Sequence, residues 1–119
     1  KKLDQYYSQL SALDGIAMRE KKLNYLEQQI NEYLIRISQQ ELDQEQANEI
    51  YHMMTIVNEI ENIGDVITRN LLLLASRKQE LKKDFSEEGK NEITAYHIKA
   101  CKQIKRLEEA FIEKINSLL

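Results

Sequence analysis

The sequence predicts an all-α protein, an elongated antiparallel bundle of three helices. The 119 residues include no proline and only three glycines, so little in the chain interrupts a helix. Apolar residues recur three or four positions apart through three long segments, which is the period of a helix with one apolar side. Two short polar joints separate these segments, and short joints place consecutive helices antiparallel. A chain of this length is typical of one domain, here residues 1–119.

The first helix is predicted over about residues 3–37. Its second half has regular helical spacing, from Leu23 through Ile30 to Ile37. The apolar residues of the first half lie on a different phase, and the change falls near Gly15. A kink or a break is therefore expected at that glycine.

The second helix is predicted over about residues 44–83. Asp43, followed three residues later by Gln46, has the pattern of a capping box that starts a helix. The apolar positions alternate at spacings of three and four: Ile50, Met53, Val57, Ile60, Gly64, Ile67, Leu71 and Leu74. This pattern is a heptad seam. A glycine inside a helix costs about 1 kcal/mol relative to alanine, so Gly64 predicts a close approach by a neighbouring helix.

The third helix is predicted over about residues 87–118. Ser86 suits its N-cap, and Glu87 and Glu88 suit the positive end of the helix dipole in the first turn. Its apolar seam contains Ile93, His97, Ala100, Ile104, Leu107, Phe111 and Leu118.

Composition excludes several classes of protein. The net charge of −3 argues against nucleic-acid binding, which needs a basic face. The longest apolar run, 71–75, is far shorter than the ~20 residues that cross a bilayer, and no signal peptide is visible. The single cysteine, Cys101, cannot form an internal disulfide. No phosphate loop, nucleophile elbow or zinc-ligand spacing occurs, so we do not expect an enzyme.

Two polar pairs form a candidate metal site. Glu61 and Asp65 lie one helical turn apart beside the seam glycine, and Glu27 and Asn31 lie one turn apart on the first helix. If the two helices pack antiparallel, these pairs face each other, and three crowded carboxylates repel unless a cation neutralises them. Oxygen ligands suit Mg²⁺, Ca²⁺ or Mn²⁺. The alternative is a solvated acidic face that pairs with Arg69 or with lysines.

The acidic pattern resembles a known family. The stretch 61–65, Glu-Asn-Ile-Gly-Asp, preceded by Val57-Asn58, is similar to the E-x-x-x-D signature of the PhoU family of phosphate-uptake regulators. The stretch 26–34 resembles the preceding helix of that family, with Asn31 where the family usually has aspartate. The sequence of this stretch is most similar to the PhoU-like cytoplasmic region of bacterial sodium/phosphate cotransporters. The resemblance covers roughly residues 13–81.

The resemblance implies a fold of two three-helix repeats, of which about one is present here. It implies metal binding by Glu61, Asp65, Glu27 and Asn31, and it adds iron or zinc to the candidate ions. The function implied is that of a regulatory or interaction domain of a sodium-dependent phosphate cotransporter, at the cytoplasmic face of the bacterial inner membrane, with the parent membrane domain as partner. A free-standing PhoU-type regulator and a structural dimerisation bundle without metal are the alternatives.

The chain ends and its apolar surface suggest further expectations. Because the sequence starts with Lys1 and stops within an apolar pattern, we expect a fragment of a longer protein. Apolar surface that one repeat leaves uncovered, including 71–74, predicts self-association into a dimer.

Three weaker signals concern histidine and cysteine. Glu49 and His52 have the Glu-x-x-His spacing of di-iron bundles, but that site needs a second copy of the pattern, which the sequence lacks. His97 is expected to be a structural histidine. Cys101 is expected to be a half-buried thiol, and the alternative role, a nucleophile activated by His97, has little support.

Overall fold

The computed structural model describes residues 11–118, and these residues are helical apart from short joints. The elements are α1 (Ala12–Ser38), α2 (Gln44–Asp65), a π-helical stretch (Val66–Leu71, the π segment), α3 (Leu72–Leu81) and α4 (Glu87–Leu118). This arrangement confirms the all-α class. The chain divides into two compact units, with the boundary between Glu80 and Leu81. The first unit contains α1, α2 and the π segment, and the second contains α4.

Side chains define the helix starts. The Ser11 hydroxyl accepts a hydrogen bond from the backbone N–H of Asp14 at 3.2 Å and so caps α1. The helix is continuous through Gly15 and starts at Ala12, because the backbone of Ser11 is not helical (φ −59°, ψ 153°). The predicted first helix is therefore interrupted at Ser11, one turn before the glycine at which a kink or a break was expected; residues 3–10 lie outside the described residues. At the start of α2 the predicted capping box is confirmed. Asp43 Oδ1 accepts from the Gln46 N–H at 2.8 Å, and Gln46 Oε1 accepts from the Asp43 N–H at 3.1 Å.

The contacts between α1 and α2 show that these helices are antiparallel. Asn31 Nδ2 donates a hydrogen bond to Asn58 Oδ1 at 3.0 Å, and earlier residues of α1 lie against a later residue of α2, Gly64. A Cβ atom at Gly64 would lie 2.5 Å from Leu23 Cδ2 and 2.7 Å from Glu20 Oε2. These distances confirm the predicted close approach, because only glycine leaves room for both side chains.

The π segment interrupts the predicted second helix and changes its phase. A π turn contains more residues than an α turn, so every later side chain is rotated about the helix axis. Within residues 66–72, Thr68 and Leu72 are the half-buried residues. The predicted seam residues Ile67 and Leu71 are instead 38% and 53% exposed. Ile67 still lines a cleft with Leu23 and Gly64, so the predicted seam is wrong from Leu71 onward. The prediction took the whole segment to be a regular α-helix, and the π segment changes the phase.

The first unit buries little apolar surface. Within the part of the chain that the structure describes, Leu34 is the one large hydrophobic side chain that is buried, at 4% exposure. Many other apolar residues are half-buried or exposed. Packing along the α1–α2 contact thus fixes the register of two helices while it leaves other apolar sides open.

The second unit consists mainly of α4. Ser86 Oγ accepts a hydrogen bond from the Gly89 N–H at 3.1 Å, which confirms the predicted N-cap. Lys90 Nζ lies 2.9 Å from Asp84 Oδ2 and 3.1 Å from Glu87 Oε1, and these contacts join the preceding loop to the first turn. Across residues 11–118, none of the helices combines the length and the apolar content that crossing a bilayer requires.

Candidate metal centre

Three carboxylates from two helices converge beside Gly64. Glu20 belongs to α1, and Glu61 and Asp65 lie one turn apart on α2. One oxygen of each carboxylate lies within 4.8 Å of the other two, and all three residues are half-buried. We call these residues the acidic cluster. The close packing of Glu20 on Gly64 carries its carboxylate across the helix contact to the other two.

The charges of the cluster act on one another. Partial desolvation raises the pKa of Glu61 above its ordinary value, and the charges of Asp65, Glu20 and Glu27 raise it further, while Arg69 lowers it. The raised pKa means that ionisation of the Glu61 carboxyl is less favourable here than in water. A cation bound among the carboxylates would relieve that repulsion.

Asp65 is held by contacts from the π segment. Arg69 Nε lies 3.3 Å from Asp65 Oδ1, and this arginine side chain is 76% exposed whereas that of the aspartate is 26% exposed. Next to it, Thr68 Oγ1 donates a hydrogen bond to the Gly64 carbonyl oxygen at 3.0 Å. The π segment therefore supplies the neighbours on one side of the cluster.

The other predicted pair lies apart from the acidic cluster. Glu27 Oε1 accepts a hydrogen bond from Asn31 Nδ2 at 2.6 Å, and the same amide nitrogen donates to Asn58 Oδ1. The Asn31 Oδ1 atom is buried and has no hydrogen-bond partner. Of the four residues predicted as ligands, the structure brings Glu61 and Asp65 together with Glu20. Glu27 is hydrogen-bonded to Asn31 outside this cluster, although its charge still raises the pKa of Glu61.

Sequence reasoning did not find Glu20. Its seven-residue spacing from Glu27 places both on one side of α1, a signal that is present in the sequence. What selects Glu20 is the register between the helices, since this residue lies opposite Gly64. The position of one helix relative to the other cannot be predicted from residue spacing within a single helix.

The weaker candidates do not form a second metal group. Glu49 and His52 are both exposed, and within residues 11–117 they belong to no cluster of three metal-ligating side chains.

Cys101 is exposed, so the half-buried thiol was a wrong prediction. The seam residues Ile93 and Ile104 are also exposed, at 51% and 50%, so this part of α4 buries neither the seam nor the thiol beside it. The Sγ atom of Cys101 lies 3.4 Å from His97 Nε2, one turn earlier on the same helix.

The residues present fit a metal ion. The donor set consists of three carboxylates, which are the hard oxygen ligands that Ca²⁺, Mg²⁺ and Mn²⁺ prefer. Two oxygens on opposite sides of a Ca²⁺ ion are about 4.8 Å apart, since each bond is about 2.4 Å long. The spacing of the cluster is therefore within reach of one ion. The absence of a side chain at Gly64 also lets Glu20 approach the other two carboxylates.

Comparison with protein families identifies a match over much of the chain. The model of the PhoU domain matches residues 5–71, more than half of the chain. The matched stretch includes all three residues of the acidic cluster and ends with the π segment. Comparisons with curated proteins and with solved structures gave no match.

Proposed function

Because the chain belongs to the PhoU domain family, we propose that it is a regulatory module of phosphate uptake whose acidic cluster holds a metal ion. Membership of this family indicates a part in the regulation of phosphate uptake, and a regulatory rather than an enzymatic role. The observation that carries the metal proposal is the convergence of Glu20, Glu61 and Asp65 within the matched stretch.

The cluster would act as a clamp between helices. Glu20 is supplied by α1 and the other two carboxylates by α2, so ligation of one ion by all three joins the helices at their contact. The bound cation supplies the positive charge that offsets the repulsion raising the pKa of Glu61. Binding to the folded state alone also raises the stability of the first unit, by an amount that grows with the concentration of the ion. The candidate ions are Mg²⁺, Ca²⁺, Mn²⁺, iron and zinc.

We place this module in the cytoplasmic region of a bacterial sodium-dependent phosphate cotransporter, at the inner face of the membrane. The resemblance of residues 26–34 to that group supports this context, with the parent membrane domain as a partner. A free-standing PhoU-type regulator accounts for the family match equally well. The parent gene distinguishes the two, because the transporter context requires membrane-spanning segments encoded before Lys1.

Elemental analysis tests the metal proposal. The protein is expressed with added Mn²⁺, Ca²⁺, iron and zinc, then purified without chelator. We expect close to one bound ion per chain in the wild type and loss of most of it in a variant that combines Glu61→Ala with Asp65→Ala. Glu59→Ala is the matched control, since Glu59 is an exposed carboxylate on α2 outside the cluster.

The outcomes separate the proposal from its alternative. Metal retained by the wild type and the control, but lost from the double variant, supports a metal site at the cluster. A wild-type protein that emerges metal-free from every supplemented culture contradicts the site. That result would favour a structural bundle whose helices serve dimerisation.

A further inference from the structure

We propose that His97 and Cys101 of α4 form one half of a zinc site, and that a second copy of the chain supplies the other half. The Sγ atom of Cys101 lies 3.4 Å from His97 Nε2, and both side chains are exposed. Both residues belong to the second unit of the chain, whereas the acidic cluster belongs to the first. The proposal is therefore independent of metal binding at that cluster.

The distance between the two donor atoms suits one tetrahedral zinc ion. Bonds of about 2.3 Å to sulfur and about 2.05 Å to nitrogen, at an angle of about 109°, place the two donors about 3.6 Å apart. The observed distance of 3.4 Å is close to that value. The two residues are four positions apart on one helix, the same spacing at which two histidines bind zinc in a helical metal motif. The chelating pair is therefore already arranged before an ion binds.

The donor types favour zinc over the ions that suit the acidic cluster. Thiolate and imidazole are the ligands of structural zinc sites, whereas Mg²⁺ and Ca²⁺ prefer oxygen. Zinc binds the thiolate, so the thiol proton of Cys101 is released to solvent when the ion binds. The site is open to a metal ion because the cysteine is free and exposed.

One chain leaves the site incomplete. Structural zinc sites have four protein ligands, and within residues 11–117 no third metal-ligating side chain lies close enough to join this pair. Two copies related by a twofold axis supply two thiolates and two imidazoles, which is a complete zinc ligand set. The sequence of one chain contains only half of this set.

Charge also favours the site with two copies. Two thiolates balance the charge of Zn²⁺, whereas one thiolate leaves a net positive charge on the site. Lys102 and Lys105 follow Cys101 on α4 and would repel such a charge. A neutral site avoids that repulsion.

The surface around the pair can contact a second helix. Ile93 lies one turn before His97, and Ile104 lies one turn after Cys101, so the four residues share one side of α4. Both isoleucines are exposed. Their burial between two α4 helices would add an apolar contact to the bonds made by the ion.

Metal titrations test the proposal. Co²⁺ replaces zinc in such sites, and its bonds to thiolate give a charge-transfer absorption that oxygen ligands do not give. The reduced protein is held at low micromolar concentration, where we expect the metal-free chain to be a monomer. It is titrated with Co²⁺ and followed by absorption, and sedimentation velocity measures its mass with and without Zn²⁺.

We expect the absorption to saturate at one Co²⁺ per two chains, and zinc to double the sedimenting mass. Cys101→Ser and His97→Ala should lose both effects and keep their helical content by circular dichroism, since both positions are exposed. His52→Ala removes the other histidine, also exposed, and as the matched control it should behave as the wild type. Glu61→Ala with Asp65→Ala should also retain both effects, which separates this site from the acidic cluster.

Three results would overturn the proposal. Saturation at one Co²⁺ per chain with an unchanged mass would mean that one copy holds the ion without a partner. No thiolate absorption at any ratio of metal to protein would remove the site altogether. Zinc-dependent association that persists in Cys101→Ser would mean that other residues join the copies.

Discussion

Gly64 is the residue on which the helix contact and the acidic cluster both depend. Alanine at a helical position ordinarily gains about 1 kcal/mol over glycine. Here a Cβ atom would meet Leu23 Cδ2 at 2.5 Å and Glu20 Oε2 at 2.7 Å, so both side chains must move. We expect Gly64→Ala to lower the free energy of unfolding by about 1–2 kcal/mol, the usual cost of overpacking. It should also weaken Mn²⁺ binding, because the displaced Glu20 is one of the ligands.

Gly15→Ala is the control for this prediction. The nearest atom to a Cβ at Gly15 is the end of the flexible Arg19 side chain, at 3.1 Å, which can shift aside. Urea denaturation should therefore show Gly15→Ala equal to or above the wild type, with Mn²⁺ affinity unchanged. Equal effects of the two substitutions would mean that the close contact at Gly64 is not what requires glycine.

The acidic cluster shows which residues of a site can be predicted from the sequence. Glu61 and Asp65 were predicted because their four-residue spacing within one helix is a local property. Glu20 was missed because its partners lie on another helix, and the match depends on the register that Gly64 and the Asn31–Asn58 hydrogen bond help to fix. Register between helices arises from packing, so it could not be read from spacing along either helix.

At the scale of elements, local signals located the helix starts and failed to find the π segment. The capping box before α2 and the N-cap of α4 involve residues three positions apart, and both were predicted correctly. The heptad seam, in contrast, was extrapolated through 66–71 as though the helix kept one period. An extra residue in the turn cannot be recognised from apolar spacing that fits a regular helix equally well.

The π segment leads to a prediction about deletions. Removing Ile67 shortens the segment by one residue and converts it into a regular α-helix, in which Thr68 and Leu72 remain on the side of Gly64. We expect this deletion to leave Tm within about 5 °C of the wild type, a change in stability of the order of 1 kcal/mol. Thermal unfolding followed by circular dichroism measures it.

A deletion inside α2 provides the contrast. Removing Glu59 rotates one part of a regular helix against the other by about 100°, which carries either the Asn58 contact or the cluster away from α1. This deletion should abolish cooperative unfolding or lower Tm by more than about 10 °C. If both deletions lower Tm equally, the π segment does not become a regular α-helix when one of its residues is removed, and the prediction is wrong.

At the scale of the whole molecule, the apolar surface left open by the fold predicts self-association. Leu71 and Leu74 are 53% and 57% exposed, and Leu34 is the one large hydrophobic side chain buried in the described residues. Burying apolar surface between two copies is favourable by about 25 cal/mol per Å². We therefore expect a dimer at high micromolar concentration, and sedimentation velocity over a range of concentrations measures it.

Charge placed on this surface should separate association from folding. A variant that combines Leu71→Glu with Leu74→Glu should shift the dimer toward monomer and keep its helical content, because both side chains are already more than half exposed. Ser76→Glu with Gln79→Glu adds the same charge at polar, exposed positions on another side of α3, and it should leave the dimer unchanged. A wild-type protein that sediments as a monomer at every concentration contradicts the prediction. Dissociation by both variants alike would show that added charge, and not loss of an apolar contact, drives the copies apart.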